Sequence, residues 1–193
     1  PRYTGPVEIG KSARFRATAL REGGENASYS REFAFSKSTG RPAVLNTKPN
    51  DSYTFEGASL LVDGYHSRPV FTSGAWLGYL DEPLDVTIDM GGEQSYRSVE
   101  LETLAEKGDW IFPPSSVTVW VSDNGTDFTE VASVAVPEAK AGDADGIGRY
   151  RMQFPETSAR YLKVVAQNAA AIPAWHPGAG SKGFLFVDEV VVE

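Results

Sequence analysis

The residues best equipped for chemistry in this chain are aromatic and polar groups lying outside its regular segments. Both histidines, His66 and His176, and three of the four tryptophans, Trp76, Trp110 and Trp175, fall between stretches of alternating apolar residues; Trp120 falls inside one. An exposed indole offers a flat apolar face, and a nearby His, Arg or Asp offers planar hydrogen-bonding groups. That combination suits a ligand with C–H faces and a hydroxyl rim, such as a sugar. Each residue also has a packing role open to it. Trp110 follows Gly108-Asp109 and precedes Ile111-Phe112-Pro113-Pro114, so it can stack on a ligand or on its own loop. Trp175-His176-Pro177-Gly178 lies between Pro173 and Gly180, a stiff loop whose histidine can meet a ligand or pin the loop to the body.

Other chemistry is poorly provided for. The chain has no cysteine, which excludes disulfides, thiolate zinc sites and a thiol nucleophile. No G-x-S-x-G, phosphate-binding loop or H-E-x-x-H occurs. Hydrolysis of a glycosidic bond needs two facing carboxylates, but Asp85, Asp89, Glu100 and Glu102 sit on the polar side of alternating strands and read as a solvated face. A net charge of −8 disfavours a nucleic-acid partner. No apolar run reaches the ~18–20 residues of a membrane span. No signal peptide is visible, and a chain starting at Pro1 reads as a piece of a longer protein.

The elements that must position these groups are strands. Leu84, Val86, Ile88 and Met90 alternate with Asp85, Thr87 and Asp89, and Val117, Val119 and Val121 alternate with Thr118, Trp120 and Ser122. Tyr161–Ala166 and Phe184–Val192 add two apolar strands, and Asp123-Asn124-Gly125 marks a tight turn. No segment carries a helical stripe, so the fold class is all-β, a sandwich or barrel. Residues 1–45 hold eight Lys/Arg against four Asp/Glu, a balance of +4, while residues 46–193 hold ten against 22, a balance of −12. That shift predicts two units. The first reads as strands around Phe15–Ala19 and Ser30–Phe35 joined by a Gly23-Gly24-Glu25-Asn26 turn. It is too small for a core of its own.

Five phrases in order carry a resemblance: Leu61-Val62-Asp63-Gly64 before Trp76; Asp85 to Gly91; Pro113 to Gly125; Ala159 to Val164; and Phe186 to Val190. They resemble the discoidin-like domain, the coagulation-factor C-type jelly roll, whose bacterial relatives are family 32 carbohydrate-binding modules. Tyr3 to Ile9 with Ala13 to Ala17 looks like the back half of the immunoglobulin-like domain ending chitobiase-type β-N-acetylhexosaminidases, family 20 glycoside hydrolases. The resemblance implies a partial immunoglobulin-like domain at 1–37, a linker at 38–45 and a discoidin-like jelly-roll β-sandwich at 46–193. It implies a non-catalytic bacterial tail whose parent is exported to the periplasm, cell surface or medium. Its partners would be that parent's catalytic domain and an N-acetylhexosamine- or galactose-containing glycan. A structural role, buttressing the catalytic barrel or a dimer, is the alternative.

The resemblance also implies sites. Family 32 modules carry their sugar residues on loops at one end of the sandwich, and the corresponding segments are 65–80, 105–112 and 172–183. They supply Tyr65, His66, Arg68, Tyr79, Asp109, Trp110, Trp175 and His176 as carbohydrate-binding candidates, with Lys107 beside them; Trp76 matches the family's buried tryptophan. The middle loop offers Lys107 and Asp109 where galactose-binding members pair an Arg with an Asn. Asp63, Thr72 and Glu189 are the implied ligands of a structural calcium, alongside backbone carbonyls. Without an ion, Asp63 would cap its own turn and Glu189 would form an ion pair.

Overall fold

The computed structural model describes residues 2–21, 23–24 and 26–193; Glu25 of the expected turn lies outside them. Nine strands form: β1 Ala13–Ala19, β2 Ala27–Phe33, β3 Ala43–Leu45, β4 Leu77–Tyr79, β5 Leu84–Ala105, β6 Ser116–Ser122, β7 Thr129–Ala135, β8 Gly146–Gln167 and β9 Leu185–Val192. Only short 3-10 turns interrupt them, and no described helix could cross a membrane. β1 and β2 make a separate hairpin, while β3 to β9 form one antiparallel network.

The two 22-residue strands, β5 and β8, build the sandwich because each serves both layers. Residues 84–89 of β5 pair with the second half of β8, which pairs with β6, and β6 with β7. Residues 98–105 of β5 pair with the first half of β8 and with β9, and β9 with β4. Register breaks between Asp89 and Gln94 and between Tyr96 and Ser98 turn the strand from one layer to the other. Gly91, at φ +79°, takes the backbone conformation this turn requires. The alternation read in the sequence is the alternation of burial: Leu84, Val86, Ile88 and Met90 are fully buried, in one core with Val99, Leu101, Val119, Leu162 and Val190.

A second apolar cluster lies on the opposite face of β5 and β9. Trp76, Leu104, Ile111 and Phe186 form it, roofed by Tyr53, Phe71 and Phe184. Beside it the chain from Asp63 to Trp76 lies across the sheet. Ser67 donates its N–H to Asp188 at 2.7 Å, and the Trp76 indole donates to Arg68 O at 2.9 Å. This cover corrects the expectation of a solvated face at Glu102, which is fully buried beneath it.

The segment expected as a linker is instead a built edge of the sandwich. Ser38 is fully buried with its hydroxyl on Val190 O, Gly40 N–H donates to Val62 O at 2.7 Å, and β3 pairs with β5. Small residues let this turn sit close to β9. The hairpin before it keeps its strands almost wholly exposed. It meets the sandwich through Ala34 N–H to Gly64 O at 2.7 Å and through Phe33 against Tyr65.

Candidate functional site

Two loops meet at one end of the sandwich and set two tryptophans. After β5, Glu106 and Ile111 bridge across a 3-10 turn at Lys107–Asp109. Trp110 closes that turn at φ +64°, a left-handed conformation that an L side chain adopts at a cost. Its N–H donates to Lys107 O at 3.0 Å. Lys107 is nearly buried, with its ammonium on the Asp145 carboxylate and on Asp143 O at 2.9 Å. Lys107 therefore holds its loop and does not face a ligand.

His176, in the loop between β8 and β9, locks the two loops together. Its Nδ1 accepts the Gly178 N–H at 3.0 Å, so Nε2 carries the hydrogen and donates to Lys107 O at 2.9 Å. The ring stands edge-on to Trp110, Phe112 and Trp175, with centroids 6.1, 5.5 and 5.6 Å away. It is 8% exposed, so it pins the loop rather than meeting a ligand, which corrects its place among the sugar-binding candidates. Trp175 is fixed by its Nε1–H to Ala139 O at 2.9 Å. Trp110 lies flat on Gly178, where any Cβ would come within 2.8 Å of the indole. Both indoles remain partly open, Trp110 at 42% and Trp175 at 39%. Beside them runs an apolar cleft of about 340 Å³, lined by Phe112, Pro113, Pro114, Val136, Ala139 and Ile172. Asp109 stays exposed next to Trp110.

The other sugar-binding candidates lie elsewhere. Tyr79 is fully buried in the sandwich core, and burial pushes its phenol well above the ordinary range, so it cannot touch a ligand. It belongs to β4, a three-residue strand at the end of the sheet order whose residues are all buried, which a loop reading of 65–80 does not distinguish. Tyr65, His66 and Arg68 lie under and beside the hairpin, not with Trp110 and Trp175. His66 Nδ1 is 2.8 Å from Glu102, and that carboxylate holds the imidazole pKa above its ordinary value. Arg149 completes the cluster on the other oxygen of Glu102. Glu102, Phe112, Ala139 and Asp145 carry much of this positioning. The sequence marked none of them, since their roles arise from contacts across more than thirty residues of chain.

Asp63 and Glu189 face successive backbone N–H groups, those of Tyr65 and Gly64, but Thr72 does not join them. Asp63 accepts the Tyr65 N–H at 2.7 Å, capping its own turn, and both Glu189 oxygens face the Gly64 N–H at 3.3 Å. Glu189 is fully buried and forms no ion pair among the described residues, which corrects the ion-pair alternative. Burial, with Asp63 and Asp188 nearby, pushes its pKa up to about 10, and burial, with Glu102 and Asp63 nearby, pushes that of Asp188 up to about 8. Thr72 is exposed on a separate 3-10 turn. Among the described residues no three His, Asp or Glu side chains form a ready-made metal group. A hard cation would fit this place only with oxygen donors from the backbone, as calcium accepts.

Comparison with known proteins bears on the same region. The family model of the F5/8 type C domain matches residues 46–182. No curated protein sequence matches the chain. Among solved structures, a chitosan-binding module from a Paenibacillus chitosanase/glucanase, in complex with chitotriose, is 17% identical with a TM-score of 0.52, over 81% of this chain and 98% of its own. A Clostridium perfringens module in complex with GalNAc-β-1,3-galactose is 16% identical with a TM-score of 0.51, over 78% and 93%. A Streptococcus pneumoniae fucose-binding module is 22% identical with a TM-score of 0.50, over 82% and 94%. These likenesses show the fold, a discoidin-like β-sandwich.

Proposed function

The chain belongs to the F5/8 type C domain family, and on that premise we propose that it is a non-catalytic module binding glycan at its Trp110–Trp175 end. The observation that carries this reading is the pair of half-open indoles, immobilised by His176, Ala139 and Gly178 beside an apolar cleft. Rigid rings lose little entropy on stacking against a sugar's C–H face, and exposed Asp109 supplies an acceptor for hydroxyls. Solved neighbours holding chitotriose and GalNAc-β-1,3-galactose support an N-acetylhexosamine- or galactose-containing ligand. Even a millimolar site concentrates a tethered enzyme on a surface dense in sugar. The expected result is that N-acetylglucosamine, chitobiose or galactose at millimolar levels quenches tryptophan fluorescence, and that Trp175→Ala removes the response. A flat titration across a broad glycan panel overturns the reading.

The finer reading has residues 1–37 as a partial immunoglobulin-like unit and 46–193 as the jelly roll, with 38–45, expected as a linker, packed along the jelly roll's edge. The parent would be an exported enzyme of the β-N-acetylhexosaminidase type, the tail staying beside its catalytic domain. It is supported by the Tyr3–Ile9 and Ala13–Ala17 resemblance and by the hairpin's inability to bury a core alone. Asp63 and Glu189, with backbone carbonyls, would hold a calcium ion whose role is to clamp the loop at Gly64. Glu189, buried with only a long N–H for company, supports that assignment. Chelator should then lower the melting temperature, and an unchanged melt counts against it.

One observation favours a structural alternative. Tyr3, Val7, Leu20 and Tyr29 are each more than half exposed around the hairpin, a surface suited to packing against a neighbouring domain. Deleting the tail would then destabilise the parent enzyme without altering its retention on insoluble glycan.

A further inference from the structure

A second cleft lies where the hairpin meets the sandwich, away from Trp110 and Trp175. Its volume is about 490 Å³, within the roughly 300–1,000 Å³ of small-ligand pockets and far more than a lone inorganic anion needs. Four arginines, Arg14, Arg31, Arg68 and Arg149, line it together with His66 and Tyr65. That is an unusual concentration of cations in a chain of net charge −8.

Carboxylates neutralise only part of this charge. Arg14 is taken by Glu32 at 2.9 Å, and Arg149 and His66 share Glu102. Arg31 and Arg68 form no ion pair among the described residues. The Arg31 guanidinium stacks 3.8 Å above the Tyr65 ring, and its Nε is buried without an acceptor. Stacking occupies the face of a guanidinium and leaves its N–H edge, the edge that pairs with an oxyanion in two parallel bonds. Asp63 is near enough to feel Arg31, but its carboxylate is engaged by the Tyr65 N–H. Arg68 is held by its backbone, whose carbonyl accepts the Trp76 indole, while its side chain stays exposed.

We propose that this cleft is a second binding site, independent of the tryptophan end, that takes a saccharide bearing a carboxylate or a sulfate, with Arg31 and Arg68 as its anion-recognising pair. Glu32, also in the lining, decides between kinds of anion. It repels a chain with a charge at every unit's backbone, such as nucleic acid, but accepts hydrogen bonds from sugar hydroxyls. The Ser30 hydroxyl, which donates to Phe15 O, keeps its lone pairs for the same use. An acidic sugar presents one oxyanion and several hydroxyls at separate positions, matching two free forks and a polar rim.

Affinity electrophoresis of the full chain through gels containing gellan (carboxylate only), lightly sulfated dextran (sulfate only) or neutral dextran, none of which carries galactose or an N-acetylhexosamine, tests this. At least one acidic polysaccharide should retard the protein and dextran should not. The gellan and sulfated dextran arms name the anion, and sodium sulfate against chloride at equal ionic strength shows whether a free anion competes. Arg68→Gln and Arg31→Gln should each weaken retardation at least tenfold, and Trp175→Ala should leave it unchanged. Arg31→Gln also removes the stack on Tyr65; exposed Arg68 has no such packing role, so Arg68→Gln decides. The proposal is overturned if neither acidic polysaccharide binds, if Arg68→Gln binds as the parent does, if double-stranded DNA is retained as well, or if Trp175→Ala abolishes retardation. Neutral-glycan quenching through Trp175 is unaffected by any of these results, so the two sites stand or fall separately.

Discussion

The two histidines mark two regions built on opposite principles. His176 sits among three aromatic rings and makes its hydrogen bonds to backbone, from Gly178 N–H and to Lys107 O. His66, carried on the 63–76 loop beside the hairpin, shares the buried Glu102 carboxylate with Arg149. One region is fixed by geometry and the other by charge. Rigid rings at the first suit a neutral ligand with apolar faces, while guanidiniums with no ion pair among the described residues suit an anionic one at the second. A histidine in a loop is thus no evidence of a site by itself: in both places it holds the frame, and the recognising groups stand beside it.

The largest effect on this comparison should come from His176→Ala. It leaves the Gly178 N–H without a partner, takes one of two donors from the Lys107 carbonyl, which keeps the Trp110 N–H, and removes three edge-on contacts, so we expect a loss of about 2–4 kcal/mol. Denaturant melts measure it, and glycan quenching should vanish with the fold intact. A variant that melts as the parent does would show that the loops are held elsewhere. Gly178→Ala comes next. Its Cβ would fall 2.8 Å from the Trp110 indole, which must tilt away, at about 1–3 kcal/mol. Retardation by acidic polysaccharide should survive both changes, because the hairpin cleft shares none of these contacts.

How much of this was readable beforehand differs between the regions for a physical reason. The sandwich is legible because burial alternates with period two along Leu84–Met90 and Val117–Val121, a local signal. Trp110 and Trp175 are legible as loop aromatics, since Gly and Pro on either side forbid regular structure there. The rest depends on long-range pairing. Period two placed Glu102 on the polar side of β5 but could not show that residues 63–76 fold over that side and carry His66 onto it. Tyr79 lies in a three-residue strand, too short for a pattern, so its burial was invisible. Ser38 and Ala43–Leu45 resemble a linker in composition because small residues serve flexible segments and close-packed edges equally.

The smallest effect is the one that isolates charge. Glu102 raises the folded-state pKa of His66 above the unfolded value, with Asp188 adding to the rise and burial and Arg149 opposing it. A raised pKa means the imidazolium is favoured by folding. Its stabilisation is therefore fully present below the unfolded value near pH ~6.5 and is lost as pH climbs through the folded one. His66→Gln stays neutral throughout, so the difference in melting temperature between parent and variant should be largest near pH 5 and should shrink toward pH 9. Taking the difference cancels the titrations of groups that do not interact with His66. Because the imidazole is partly exposed, the gap should be modest, on the order of 1–3 °C for a chain of this length. A gap that is constant with pH would mean that His66 acts through packing alone, and the contrast with His176 would then be one of burial rather than of charge.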